Sequence, residues 1–139
     1  MNNAKLDRSS GEVQAVVRKF EDCEFSPQEF HHLDHLTVIT CYLEQLPVRA
    51  ALARMRGALK KFTAHHKAKG YNETITRFWV AKVVQVLATQ AAELSLPELV
   101  ERVHASLGNK ELLFQYYSRE RALSEDAKQG WLEPDVNLL

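Results

Sequence analysis

Helix-breaking residues are scarce in this chain, with 5 glycines and 4 prolines among 139 residues. That scarcity excludes turn-rich all-β and low-complexity architectures, and long apolar stripes at 3.6-residue spacing predict an all-α domain. Cysteine is nearly missing too. Cys23 and Cys41 are too few for a disulfide framework and form no C-x-x-C pair, so both are expected as reduced thiols. No charge dominates: Lys plus Arg and Asp plus Glu are 18 each, which removes the chain-wide field that would favour nucleic acid or an acidic membrane. Long hydrophobic runs are also lacking. The most apolar stretch, 78–87, is interrupted by Lys82 and Gln85 and is too short to span a bilayer. Residues 1–8 carry no apolar signal-peptide run, so a cytoplasmic protein is expected. Phosphate-binding glycine loops, H-E-x-x-H and G-x-S-x-G are absent.

What is present is core material. Hydrophobic residues make up 45% of the chain, enough for one domain to bury a core without metal or disulfides. Residues 1–8 are polar and are expected to be flexible, leaving 9–139 as a single helical domain. Ser9-x-x-Glu12 is a capping-box pattern that opens a first helix. Ser26 with Pro27 and Glu29 predicts the start of a second, which should run to Leu46 and stop before Pro47. The third carries Val48, Leu52, Met55, Leu59 and Phe62 on one stripe, with Gly70 as its left-handed terminator. Asn72 should cap a fourth helix, and Ser95-x-x-Glu98 a fifth that Gly108 breaks. Leu112, Leu113, Tyr116 and Tyr117 suggest a short helix, Ser124 another, with Trp131 anchoring an extended tail. Short connections predict an up-down bundle of four main helices, with short extra helices at the C-terminus.

The densest chemistry lies in Phe30-His31-His32-Leu33-Asp34-His35. At about 1.5 Å of rise per residue, antiparallel neighbours bring the start of the second helix level with the end of the third and the start of the fourth. His32, His35, His66 and Glu73 are then expected to converge at one end, with Asp34, Asn72 and Thr76 beside them. Two imidazoles on one helix plus a carboxylate from another fit three-ligand coordination with an open position, suited to zinc or iron. Without metal, a carboxylate-held histidine could serve as a general base, or the cluster could bind a small ligand.

The bland alternative is a set of caps and hydrogen bonds at a wet bundle end. In that case the protein is a non-catalytic interaction module, engaging a partner or a second copy as a homodimer. Two E-x-x-H patterns, Glu29-x-x-His32 and Glu101-x-x-His104, do not make a di-iron site, because the third helix supplies no glutamate between Val48 and His66. A basic stretch, Arg54, Arg56, Lys60, Lys61, Lys67 and Lys69, reads first as a solvated helix face.

The segments His32-x-Asp34-His35-Leu36, Tyr71-Asn72-Glu73-Thr74-Ile75-Thr76, Tyr116-Tyr117-Ser118 and Trp131-x-Glu133-Pro134-Asp135 resemble a group of small bacterial all-helical proteins without assigned activity. The resemblance spans 26–135, includes His32, Asp34, His35 and Glu73 but not His66, and implies no cofactor or substrate.

Overall fold

The first long helix, α1 (Asn2–Glu21), ends in a turn whose geometry sets up everything downstream. The computed structural model describes the backbone of residues 2–68 and 70–139 and the side chains of 10–68 and 70–139. α1 therefore begins at Asn2, seven residues ahead of the Ser9 box expected to open it; the side chains of residues 1–9 and the whole of residue 69 lie outside the described residues. Cys23 takes φ 58 beyond the end of α1, and Glu24 N–H returns to the Lys19 carbonyl at 2.8 Å. Cys23 N–H reaches the Phe20 carbonyl at 3.0 Å, completing a Schellman turn built on a residue other than glycine.

The loop that follows is pinned by Phe25 and Phe30. The Phe30 ring stacks on Phe20 at 4.4 Å and meets Phe62 at 5.4 Å. The Ser26–Glu29 box forms as expected, with Ser26 N–H to Glu29 Oε1 at 2.9 Å, but it closes only a single turn. The helix proper, α2 (His32–Gln45), begins at a second box, in which His31 N–H donates to Asp34 Oδ2 at 3.0 Å. The predicted cap at Ser26 is thus corrected by five residues, to His31: burying Phe30 in the aromatic cluster needs the chain to straighten at His31 (ψ 170) before the helix resumes.

α2 is the axis of the molecule. Every residue from 36 to 42 is buried, and α2 packs against α1, α3 (Val48–His65), α4 (Glu73–Leu87) and α5 (Leu96–Leu107). A helix apolar on every side belongs inside. Its buried hydroxyls are satisfied within the helix, Thr37 donating to the Leu33 carbonyl at 2.9 Å and Thr40 to Leu36 at 2.7 Å. Among the described residues the domain is all-helical, with four long helices, α1, α3, α4 and α5, packed around α2, making five long helices where four main ones were expected.

α3 ends earlier than Gly70 would dictate. His66 caps it, Lys67 takes φ 51, and Ala68 N–H reaches the Thr63 carbonyl at 2.8 Å, so lysine fills the place expected of glycine. Asn72 and Ser95 cap α4 and α5 as read, accepting from Ile75 and Glu98 N–H. A 3-10 helix (Lys110–Gln115), α6 (Arg119–Ala122) and α7 (Glu125–Gln129) complete the chain, Ser124 capping α7; α6, capped by Ser118, has no counterpart in the sequence reading. Among the described residues, no helix is long and apolar enough to cross a membrane.

Candidate functional site

Two adjoining clefts share the Tyr71 side chain as a wall. The first has a volume of about 410 Å³ and lies between the start of α2, the inner face of α3 and the residues Ala68, Gly70, Tyr71 and Asn72 that precede α4. His32, His35, Asn72 and Thr76 line it, together with Phe30, Phe62 and Trp79.

His35 is its distinctive group. The ring leans on Phe30 at 4.1 Å, and none of the hydrogen bonds among the described residues uses its nitrogens. Burial pushes its pKa down to about 4, helped by the neighbouring His32, so the imidazole is neutral at physiological pH. His32 packs edge-on against Trp79 at 4.5 Å, and its Nε2 lies 2.9 Å from the Leu107 carbonyl. A carbonyl only accepts, so Nε2 carries the proton and Nδ1 keeps a lone pair. Burial lowers the His32 pKa as well, against the opposing pull of that bond.

Asn72 and Thr76 are occupied locally. Asn72 Nδ2 donates to the Ala122 carbonyl at 2.8 Å, and the Thr76 hydroxyl donates to the Asn72 carbonyl at 2.8 Å. They hold the wall in place and leave the recognition chemistry to the imidazoles.

The remaining candidates are placed elsewhere. Glu73 does not meet the histidines: Arg56 grips its carboxylate through two bonds of 2.8 and 2.7 Å, and Tyr71 donates to Oε1 at 2.5 Å. This network lines the second cleft, and Arg56, ahead of Tyr71, holds the Glu73 carboxyl below the usual carboxylate range. α3 stops at His65, short of the terminator expected at Gly70, and Glu73 pairs with Arg56, nine positions before His65 and about 13.5 Å down α3.

His66 packs on Phe62 at 4.7 Å with Nε2 buried and unbonded, but it does not line the cleft. Asp34 serves the α2 cap. Tyr42, further along α2, donates to Glu21. His104 ties α5 to α2 through Nε2, 2.9 Å from the Thr37 hydroxyl and 3.1 Å from the Leu33 carbonyl, which accounts for the second E-x-x-H pattern.

With Glu73 withdrawn, no group of three or more His, Cys, Asp or Glu side chains among the described residues is arranged to hold a metal ion. Tyr71 and Trp79 line the first cleft, Trp79 as a member of the hydrophobic core that faces it. Arg56, read as a solvated face, is the partner that decides where Glu73 points. The one usable signal was opposite charge: Arg56 lies on the helix next to the one bearing Glu73.

Comparison with known family models, curated proteins and solved structures gave no match.

Proposed function

We propose that the protein binds a small, mainly apolar organic molecule carrying a hydroxyl or N–H donor, in the cleft of His32 and His35. The observation that carries this reading is His35, a neutral imidazole with no internal hydrogen-bond partner, set among aromatic walls. An apolar cleft with a few convergent polar groups, at 410 Å³, has the size and lining of a small-molecule site. A ligand N–H or O–H would satisfy the imidazole, and the rings of Phe30, Phe62 and Trp79 would cover its body.

General-base catalysis draws less support. A base whose pKa sits near 4 is mismatched to proton abstraction at neutral pH. The interaction-module alternative also has less beneath it. Trp131, its expected anchor, meets Tyr117 edge-on at 6.3 Å, lies 5.1 Å from the Arg77 guanidinium and donates to Glu133.

Titration with 4-methylphenol and with toluene, followed by NMR of the Trp79 indole and the 70–76 amides, tests the reading. The phenol should bind at least tenfold more tightly, and His35→Phe should erase that preference. Absence of a saturable shift, or a preference unchanged in His35→Phe, would overturn it.

A further inference from the structure

The second cleft, about 530 Å³, has a charge balance unlike that of the chain as a whole. Arg56, Lys60, Arg77 and Lys128 line it against one carboxylate, Glu73, in a protein whose formal charges cancel. Arg56 and Tyr71 make three hydrogen bonds to that carboxylate, so Glu73 is committed first to Arg56, attracts Arg77 more weakly, and leaves one negative charge facing four cations.

Those three are held loosely. The Arg77 guanidinium lies 5.1 Å from the centroid of the Trp131 ring, and the Lys60 ammonium lies 5.2 Å from that of Tyr71. Lys128 has only a 3.7 Å approach to the exposed Glu125. Two neighbours of Lys60 on α3 are treated differently. Arg54 is paired with Glu21 at 3.0 Å, and Lys61 donates to the Glu21 carbonyl at 2.9 Å. The second cleft thus gathers four cations from three helices around one carboxylate in a single concave place.

We infer that this cleft binds a phosphate group, either free or carried on a small molecule. Arg77 presents a planar fork matched to two phosphate oxygens, while Lys60 and Lys128 supply point charges on either side. The Arg56–Glu73–Tyr71 network forms a rigid wall that needs no rearrangement on binding. The aromatic rings hold Arg77 and Lys60 by cation–π contact, which orients them without neutralising them. A phosphate group exchanging for solvent would therefore meet cations already in position.

The test is a titration at constant ionic strength with inorganic phosphate, pyrophosphate and glucose 6-phosphate, followed through the Trp131 indole and Arg77 side-chain resonances. Saturable binding is expected, with Arg77→Gln at least tenfold weaker and Lys60→Gln weaker by a smaller factor. Glucose 6-phosphate binding better than phosphate assigns an organic phosphate, and the reverse order assigns the free oxoanion; either outcome supports the site. His35→Phe should leave this titration unchanged, so failure here is separable from failure of the first cleft. No saturable shift with any of the three anions, or Arg77→Gln and Lys60→Gln binding like the parent protein, would overturn the inference, as would tighter binding of a mixed oligonucleotide than of all three.

Discussion

Acidification should destabilise this protein through His35, and the size of the effect follows from where the ring sits. Its pKa falls from the ordinary 6.5 to about 4 because burial against Phe30 and the cleft wall disfavours the imidazolium. In the unfolded chain the ring takes up a proton near pH 6.5; in the folded protein it resists until about pH 4. The unfolded state therefore binds more protons across that window, and stability falls as the pH is lowered through it. The full contribution is present above pH 6.5, and about 3 kcal/mol is lost by pH 4, at about 1.36 kcal/mol per pH unit. Carboxylates titrate in the lower part of the same window, so the measurement must be a difference. Urea denaturation of the parent protein and of His35→Gln, at half-unit steps from pH 4 to 8, isolates the contribution. The gap between the two stability curves should narrow or change sign by about 3 kcal/mol between pH 6.5 and pH 4. Parallel curves would show that the imidazole is freely solvated, and the neutral acceptor at the heart of the proposed ligand site would go with it.

Thr74→Val should loosen the C-terminal tail. The Thr74 hydroxyl donates to the Gly130 carbonyl at 2.7 Å and accepts from Leu132 N–H at 3.1 Å, so its loss leaves two partly buried backbone groups unmatched. A cost of about 2 kcal/mol is expected by chemical denaturation, with a red-shifted Trp131 emission as the tail detaches. Gly108→Ala should also destabilise, by about 1–3 kcal/mol, because a Cβ there would lie 2.5 Å from the His104 carbonyl. The shift it forces adjoins Leu107, whose carbonyl holds His32, so weakened binding of 4-methylphenol should accompany the lower denaturation midpoint.

Elements whose ends are written in local hydrogen bonds were the legible ones. Asn72, Ser95 and Ser124 each accept from a backbone N–H three residues on, an interaction that needs no distant partner. Ser26 and Glu29 form the same local box, yet no long helix follows it. Whether a capped turn grows into a helix depends on where the next apolar residue must go, and Phe30 is claimed by Phe20 and Phe62 from other parts of the chain. Lys67 makes the complementary point at a helix end. A lysine at φ 51 is tolerated because the Schellman bonds and the early stop let Ala68, Gly70, Tyr71 and Asn72 fold back as a cleft wall, and no composition rule distinguishes it from Gly70 three residues later.

The site was half legible, and the reason lies in the first turn of α4. Asn72, Thr76 and Trp79 face the first cleft, whereas Glu73 and Arg77 face the second; neighbours in sequence are about 100° apart around a helix. Axial height brings residues to the same level but does not choose between faces. The choice was electrostatic. A partly buried carboxylate needs a cation, and Arg56 offers two charge-assisted bonds where His32 and His35 offer neutral rings. The two facts are one. Had Glu73 turned toward the imidazoles it would have raised their pKa values; because it pairs with Arg56 instead, burial acts on His35 with no nearby carboxylate to oppose it. The same rotation that left the histidines without an acid left Arg77 and Lys60 without a free one, so one turn of helix sorts a neutral, apolar cleft from a cationic one.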